Sequence, residues 1–268
     1  KEHRVERIRR YVDKLFIIFP FEVEYFARRG IDAVYEGNPL MDAIAERCAA
    51  MPPREEFFRA NGFGARSVIA LLAGSRRSEV RNNLPFMAAL AELMPEYDFV
   101  LAAVPWLDRE LYGELLAGSR IICLYDKTYE IVRYADAAVV TSGTATLETA
   151  LIGTPEVVCY RTDALTVWAG RRLLKIPYIS LVNLVMGREV VKELIQQEMT
   201  PERAAEELRA ILPGGGQRER MLADYDALRK RIGGPGASER VAARMVALLK
   251  GEKAPRPTER EQENGGAK

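Results

Sequence analysis

The chain has 268 residues, with 39 basic and 38 acidic side chains and a formal net charge of +1. This length is enough for one large or two modest domains with a proper core. Because the charges nearly cancel, no overall field favours nucleic acid, and we expect no nucleic-acid partner. The only histidine is His3, which argues against histidine-based acid–base or metal chemistry in the rest of the chain.

The spacing of the cysteines and the hydropathy of the chain further limit the class of protein to which it can belong. Cys48, Cys123 and Cys159 lie far apart, with no C-x-x-C pair. This pattern fits a reducing cytoplasm and predicts neither a disulfide scaffold nor a structural zinc site. No apolar run approaches the ~18–20 residues that span a bilayer. The chain begins KEHRVERIRRYVDK, without a methionine and in a helical pattern, so we expect a fragment that lacks its front part.

In chain order, apolar β-rich runs alternate with helical stretches, which is typical of a parallel sheet with crossover helices. The runs are continuous rather than alternating, so both faces of the strands should be buried. We predict an α/β protein whose doubly wound, Rossmann-like parallel sheet has six strands. The predicted strands are Ser67–Gly74, Asp98–Val104, Arg120–Tyr125, Ala137–Ser142, Pro155–Tyr160 and Tyr178–Asn183.

An earlier apolar run, Lys14–Pro20, is separated from this set by the turn signal Gly37-Asn38-Pro39. We interpret that turn as a hinge and predict three parts. Residues 1–38 are the tail end of an N-terminal Rossmann-like domain with its linker. Residues 39–250 are a complete second domain with closing helices, and residues 251–268 are a polar, disordered tail.

The first candidate binding stretch is LLAGSRRSEVR, which follows the first strand of the sheet. Gly74 permits a tight turn, Ser75 can cap the following helix, and Arg76 supplies a forked cation beside free backbone N–H groups. Because the helix dipole and the guanidinium would act on the same anion, the stretch predicts a phosphate site. The alternative is an ordinary strand–helix turn with surface arginines, as we expect for Arg77 and Arg81.

The second candidate stretch is VVTSGTATLETALIG, where another strand leads into a helix. Ser142 and Gly143 form the turn, Thr144 caps the helix, and the small Ala145 lets a ligand approach its unpaired N–H groups. Such a helix start suits a phosphate. Glu148 would repel a phosphate, but it could accept two hydrogen bonds from a ribose diol. The alternative is a capped helix in which Glu148 only favours the dipole.

Polar residues after later strands complete the predicted rim. Arg161 and Asn183 each follow a predicted strand, and parallel strands end at one edge of a sheet. The helix predicted over Ala164–Lys175 carries apolar and basic side chains, which fits either a membrane-surface element or a packed helix with a solvated basic edge.

Two motifs resemble known binding sites only in their residue letters. Asp224-Tyr225-Asp226 has the form of a D-x-D metal motif, but its context indicates an exposed helix face. Gly214–Gly216 has the glycines of a P-loop, but its context indicates a loop.

Three segments carry a resemblance to a known family. GSRRSEVRNNLP, VVTSGTATLETALIGTPEVVCYR and YISLVNLVMGREVVKELIQ, in this order and spacing, resemble the C-terminal half of the lipid-A-disaccharide synthase family. The resemblance extends from about Val12 to Leu249. It implies a fold of the GT-B type, in which two Rossmann-like domains face each other across a cleft and the C-terminal one holds the nucleotide-sugar donor. The Gly37–Pro39 turn looks like the interdomain linker of MurG-type transferases and sugar epimerases.

The resemblance implies an inverting hexosyltransferase of lipid A biosynthesis. UDP-2,3-diacylglucosamine would donate its sugar to 2,3-diacylglucosamine 1-phosphate, giving the β-1,6-linked disaccharide 1-phosphate and UDP. The family needs no metal, and we expect no cofactor. The resemblance also implies a cytoplasmic protein that attaches peripherally to the cytoplasmic face of the Gram-negative inner membrane, and it leaves room for an oligomer.

Site roles follow from the resemblance, position by position. Ser75 and Arg76 would meet the diphosphate, together with the backbone and hydroxyl donors of residues 142–145, and Glu148 would contact the ribose. Arg76 would also stabilise the charge on the departing UDP. The general base and a second glycine-rich loop are expected in the missing N-terminal domain. The positions expected to line the donor pocket are Arg161, Asn183 and Glu189.

Two alternatives stay open at the level of the sequence. The chain could be another GT-B enzyme, either a MurG-like transferase or a UDP-sugar epimerase. Epimerases of this kind depend on histidine, and His3 is the only one present. The chain could also be a non-catalytic nucleotide-binding or interaction module, which would bind UDP and transfer nothing.

Overall fold

The computed structural model describes residues 2–141, 143–161 and 178–251. Contacts divide the chain into two compact units: unit 1 is drawn from residues 1–46 and 227–268, and unit 2 is residues 47–226. This division differs from the predicted limits at residues 38 and 250, because the last helix of the described chain belongs to unit 1. The predicted helix over Ala164–Lys175 and all but the first residue of the predicted tail lie outside the described residues.

Eight strands and twelve α-helices are present among the described residues. The strands are β1 (Leu15–Ile17), β2 (Ala33–Tyr35), β3 (Val68–Leu72), β4 (Asp98–Ala103), β5 (Ile122–Tyr125), β6 (Ala137–Thr141), β7 (Glu156–Tyr160) and β8 (Lys192–Ile195). The helices are α1 (Glu2–Tyr11), α2 (Phe21–Ala27), α3 (Leu40–Ala49), α4 (Arg54–Ala60), α5 (Arg77–Leu93), α6 (Arg109–Leu115), α7 (Thr128–Tyr134), α8 (Thr144–Ile152), α9 (Leu181–Met186), α10 (Pro201–Ile211), α11 (Arg218–Ile232) and α12 (Ala237–Leu249). None of these helices is long and apolar enough to cross a membrane.

Unit 2 is built on one sheet of six parallel strands in the order β5-β4-β3-β6-β7-β8. All five residues of β3 and of β6 are buried, as the continuous apolar runs predicted, because crossover helices cover both faces of such a sheet. The usual right-handed crossover predicts the helices after β3 and β4 on one face and those after β6 and β7 on the other, in agreement with the packing of α5 on α6 and of α8 on α9. The predicted α/β class, with its doubly wound parallel sheet, is confirmed.

The sixth predicted strand, Tyr178–Asn183, is wrong. Ser180 instead forms the N-cap of α9, where its Oγ accepts a hydrogen bond from the N–H of Asn183 at 3.2 Å. A serine at this position satisfies an N–H that the first helical turn leaves unpaired. Helix α9 ends at Gly187 in the left-handed conformation, and the strand that completes the sheet is β8, paired with β7.

Unit 1 contains the parallel pair β1–β2, with Leu15 opposite Ala33. The predicted hinge at Gly37-Asn38-Pro39 is tied down within this unit. Asn38 is buried, its Nδ2 donates to the Ile18 carbonyl at 2.8 Å, and its Oδ1 accepts from the Leu40 N–H at 2.9 Å. Gly37 has φ +104°, a conformation that suits glycine. The turn therefore has fixed hydrogen-bonding partners on both sides rather than being a free linker.

An acidic side chain from α3 caps the start of α12. The Asp42 carboxylate accepts hydrogen bonds from the N–H groups of Gly236 and, at 2.8 Å, Ser238. Burial acts to raise the pKa of Asp42, but the hydrogen bonds from Ser238 and Gly236 outweigh it and hold that pKa below its usual value. Distant parts of the chain are thereby joined inside unit 1.

Glu36 makes a second connection to the same helix. Its side chain is only 6% exposed and forms an ion pair with Arg244. Its backbone carbonyl accepts hydrogen bonds from Nε and Nη2 of Arg240, at 3.1 and 2.8 Å. A buried carboxylate needs such a partner, because removing it from water is costly.

Candidate functional site

The carboxyl ends of β3 and β6 lie side by side in the middle of the sheet, where Leu72 pairs with Val140. This is the point at which the strand order reverses direction, and ligands of doubly wound sheets bind in the crevice that forms there. The two candidate stretches at Gly74–Arg76 and Gly143–Ala145 follow directly after these strands. The structure therefore brings the two predicted anion-binding stretches to one edge, on adjacent strands.

The loop after β3 closes around a carboxylate of its own chain. Oε2 of Glu79 accepts the N–H groups of Ser75 and Arg76 at 2.9 and 3.2 Å, and Oε1 accepts from Nη1 of Arg76 at 2.5 Å. Gly74 has φ +114°, and a Cβ there would lie 2.5 Å from Cβ of Glu79. Glycine is needed at position 74 both for its conformation and for the space that Glu79 occupies.

The predicted role of Ser75 as a helix cap is wrong, because α5 begins at Arg77 and the N-cap residue is Arg76. Glu79 occupies the third helical position, from which a carboxylate commonly reaches back to the N-cap N–H. Ser75 and Arg76 are both exposed, whereas Arg77 is paired with Asp108 at 2.6 Å. The expectation that Arg77 is a surface arginine, distinct in role from Arg76, agrees with this geometry.

The helix start after β6 also differs in detail from the prediction. Gly143, with φ +138°, is the N-cap, and Thr144 is the first helical residue rather than the cap. Ser142 lies outside the described residues. Thr144 is exposed and Ala145 half-buried. The first N–H groups of any helix have no acceptor within the helix, so this end of α8 can donate to an anion at the crevice.

Glu148 lies one turn inside α8 and is half-buried. Its Oε1 accepts a hydrogen bond from the Tyr129 hydroxyl at 2.7 Å. Burial raises the pKa of Tyr129 above its usual value, and the Glu148 carboxylate raises it further. Tyr129 therefore stays a hydrogen-bond donor and fixes the orientation of Glu148, which keeps acceptor capacity on its carboxylate.

Later strand ends supply further residues to the same edge. Arg161 directly follows β7, and its Nη2 donates to the Met199 carbonyl at 3.0 Å. Gln196 directly follows β8 with φ +56°, a conformation that is uncommon outside glycine. Trp106, after β4, is 67% exposed and donates its indole N–H to the Ser75 carbonyl at 3.0 Å. The prediction included Arg161 but missed the other two.

Asn183 does not belong to this edge. It is fully buried in α9, its Oδ1 accepts from the N–H groups of Val190 and Val191 at 2.7 and 3.0 Å, and its Nδ2 donates to the Val191 carbonyl and to Glu193. The prediction placed Asn183 after a strand that the structure does not contain. These contacts join α9 to β8 and to the segment that leads into it, so Asn183 is a positioning residue.

Glu189 lies at the opposite edge of the sheet, because it precedes the amino end of β8. There it lines a cavity of about 110 Å³ beside Glu156, the first residue of β7. The structure thus separates Glu189 from the crevice at β3 and β6, and the prediction that it lines the donor pocket is corrected. The residues lining the cavity are Glu156, Val157, Glu189, Val190, Lys192, Glu207, Ile211, Gln217, Arg220, Met221 and Asp224.

Glu156 is fully buried, and neither of its carboxylate oxygens has a hydrogen-bond partner among the described residues. Burial raises the pKa of Glu156 well above its usual value. In the folded chain the Glu156 carboxyl therefore stays protonated at pH values where it is ionised in the unfolded chain, in which a glutamate has a pKa of about 4.3. It follows that stability falls as the pH rises above that value.

Replacing Glu156 by methionine is expected to increase the free energy of unfolding by about 1–3 kcal/mol at pH 8, because an unsatisfied buried polar group is removed. The gain should be smaller at pH 5. Urea denaturation at the two pH values measures it. Glu189→Gln, at an exposed position beside the same cavity, is the matched control and should change stability by less than about 0.5 kcal/mol. An equal gain from Glu156→Met at both pH values would contradict the titration argument.

The D-x-D motif lies in a helix, as predicted, but the predicted exposed face is wrong, because Tyr225 is fully buried and the Asp224 side chain is only 16% exposed. Asp224-Tyr225-Asp226 lies within α11, where Asp224 accepts two hydrogen bonds from the Arg188 guanidinium at 2.5 and 2.9 Å. Gly214–Gly216 lies in the connection between α10 and α11. Within the described ranges, no group of three or more His, Cys, Asp or Glu side chains is arranged to hold a metal ion.

Sequence comparison identifies the relatives of this chain. A family model described as lipid-A-disaccharide synthetase matches residues 1–243. The lipid-A-disaccharide synthase of Myxococcus xanthus is 39% identical over 252 residues, which is 92% of this chain and 65% of that protein. The corresponding protein of Syntrophus aciditrophicus is 39% identical over 262 residues, covering 93% and 66%. The chain thus spans about 65% of the length of the curated relatives that it matches.

Solved structures share the fold at low sequence identity. A putative UDP-N-acetylglucosamine 2-epimerase from Listeria monocytogenes superposes with a TM-score of 0.59 and 16% identity, over 92% of this chain and 61% of that one. The UDP-GlcNAc 2-epimerase from Neisseria meningitidis, solved with UDP-GlcNAc, gives a TM-score of 0.56 and 15% identity over 88% and 60%. At these identities the likeness concerns the fold alone.

Proposed function

The chain belongs to the lipid-A-disaccharide synthetase family, and from this premise we propose that it forms the nucleotide-sugar-binding part of an inverting glycosyltransferase. The reaction transfers 2,3-diacylglucosamine from its UDP conjugate to 2,3-diacylglucosamine 1-phosphate. The acceptor's 6-hydroxyl attacks the anomeric carbon, the bond to the UDP oxygen breaks, and the β-1,6 disaccharide 1-phosphate and UDP are formed. The substrates of this reaction are lipids. The proposal therefore includes peripheral attachment of the protein to the cytoplasmic face of the inner membrane.

The observation that carries this proposal is the loop after β3. Two backbone N–H groups and the Arg76 guanidinium converge there on one carboxylate, that of Glu79. Donors that hold a carboxylate in this way also suit a phosphate oxygen, which presents the same charge and acceptor geometry. The donor's diphosphate would bind there, next to the first N–H groups of α8, which have no acceptor within the helix ladder.

The chemical role of these donors is to stabilise the leaving group. Negative charge builds on the UDP oxygen as the glycosidic bond breaks, and preorganised N–H groups with a guanidinium lower the energy of that state. Glu148, oriented by Tyr129, would accept hydrogen bonds from the ribose diol. Arg161 would add a second cation two strands away from the β3 loop. The base that takes the acceptor's proton is not assigned to any residue of this chain.

Replacing Arg76 by alanine is expected to weaken UDP binding by about 1.5–3 kcal/mol, which is what a charge-assisted hydrogen bond contributes. Titration calorimetry with UDP measures the change. Arg77→Ala is the matched control, since that neighbouring guanidinium is engaged by Asp108, and it should leave the affinity unchanged. Equal affinity of wild type and Arg76→Ala for UDP would remove Arg76 from the site, and failure of the wild-type chain to bind UDP would contradict the proposed function.

A further inference from the structure

Glu79 makes more contacts than a helix cap requires. A carboxylate at the third helical position ordinarily reaches back to the single N–H of the N-cap residue. Here it also takes the N–H of the preceding residue, Ser75, and the guanidinium of Arg76. It is 27% exposed, whereas the Arg76 side chain is 76% exposed. The donors of the β3 loop are thus already occupied by an anion that belongs to the chain.

The loop is shaped to admit this carboxylate. A side chain at Gly74 would collide with Glu79, since its Cβ would lie 2.7 Å from Oε2. The Trp106 indole N–H donates to the Ser75 carbonyl. This carbonyl belongs to the peptide between Ser75 and Arg76, whose N–H points the opposite way. The neighbouring Arg77 donates to Asp108 at 2.6 Å, whereas Arg76 pairs with Glu79. Arg76 is therefore the guanidinium that neutralises Glu79 in this loop.

A carboxylate and a phosphate cannot share the two backbone donors of this loop, the N–H groups of Ser75 and Arg76. Each backbone N–H carries one hydrogen, and two anions within hydrogen-bonding distance of the same groups repel each other. A diphosphate can use the loop only after the Glu79 side chain has moved out. The apparent affinity for the nucleotide is then lower than the intrinsic affinity by the fraction of chains in which Glu79 has left.

We propose that Glu79 is an intramolecular competitor of the nucleotide's diphosphate at the loop Gly74–Arg76, an inference that rests on the proposed function. Glu79 releases the donors when the UDP-sugar arrives. It re-forms its three hydrogen bonds when UDP, which is the product and keeps the same diphosphate, departs. The carboxylate therefore keeps the empty loop ordered and limits how tightly the product is retained.

The test compares wild type with Glu79→Gln, which keeps the shape of the side chain and removes its charge. UDP affinity should rise about tenfold in the variant, because the competing anion is gone. Affinity for uridine, which has no phosphate, should not change. Thermal unfolding of Glu79→Gln should occur at a lower temperature than that of wild type, since the loop loses its charged acceptor. A gain in affinity together with a loss of stability is a combination that a purely structural glutamate would not produce.

Glu92→Gln supplies the control, because it removes one negative charge from an exposed position near the other end of α5. It should alter neither UDP nor uridine binding. Unchanged or weakened UDP binding by Glu79→Gln, with wild type binding UDP normally, would overturn the competitor role and leave the proposed function standing. No UDP binding by either protein would overturn both the competitor role and the proposed function.

Discussion

Replacing Asn183 by alanine is expected to lower the free energy of unfolding by about 3–5 kcal/mol. The fully buried amide satisfies the N–H groups of Val190 and Val191, the Val191 carbonyl and one oxygen of Glu193. Glu193 would keep the N–H of Ser180 as a donor, but alanine would remove this amide partner from the buried N–H groups of Val190 and Val191, and each orphaned polar group costs about 1–3 kcal/mol. Urea denaturation of the full chain, followed by circular dichroism, measures the loss.

The matched control is Asn82→Ala, at an exposed position of α5. Alanine is the better helix former, so this change should be neutral or slightly stabilising, within about 0.5–1 kcal/mol. A loss below about 1 kcal/mol for Asn183→Ala would show that water replaces the amide. In that case Asn183 would again be available as a ligand-binding candidate rather than a positioning residue.

Replacing Arg244 by methionine is expected to destabilise unit 1 by about 3–5 kcal/mol, because it leaves the buried carboxylate of Glu36 without its cation. The change also frees α12 from the segment that contains Glu36. Urea denaturation measures the total loss. Relative to wild type, hydrogen–deuterium exchange of the variant should become faster in α12 and should change less in β3 and β6, which belong to unit 2.

Two further variants separate the ion pair from other effects of the substitution. Lys250→Met removes one positive charge just beyond the end of α12, at an exposed position, and should change stability by less than about 0.5 kcal/mol. The double variant Glu36→Met/Arg244→Met removes both charges and should recover most of the loss, because a buried pair can be replaced by apolar groups at little cost. A double variant as unstable as Arg244→Met would show that the pair is not the cause.

The sequence was most informative where burial determines the pattern. Five of the six predicted strands of the sheet are present, because a strand covered on both faces must be apolar throughout. The run Tyr178–Asn183 has the same apolar character, but Ser180 within it captures the N–H of Asn183 and starts a helix. A local side-chain hydrogen bond competes with strand formation in such a short segment, and hydropathy does not report it.

The sequence predicted the two loops of the candidate site, at Gly74–Arg76 and Gly143–Ala145. It did not predict the side-chain hydrogen bonds within the site. Gly74, Arg76 and Gly143 reach the crevice because βα turns at a switch point require such residues. The partners Glu79 and Tyr129 were missed, since each contact depends on how a side chain folds back in space. The one available signal was the glutamate three residues after Arg76, which is the spacing of a capping box. Asn183 was misplaced because its position depended on the wrong sixth strand, whereas Glu189 was assigned through the family resemblance alone.

The pairing of β3 with β6 has a consequence for how the protein assembles. Strands β3 to β5 are contiguous in sequence, as are β6 to β8, whereas Ile69 must find the distant Ala137. Such long-range pairing forms late, because the loop must close before the contact rewards it. The two candidate anion-binding loops border this seam, one after β3 and one after β6, so each half of the sheet carries only one of them. Under the proposed function, a bound nucleotide would contact both loops. It would therefore stabilise the pairing of β3 with β6 against unfolding.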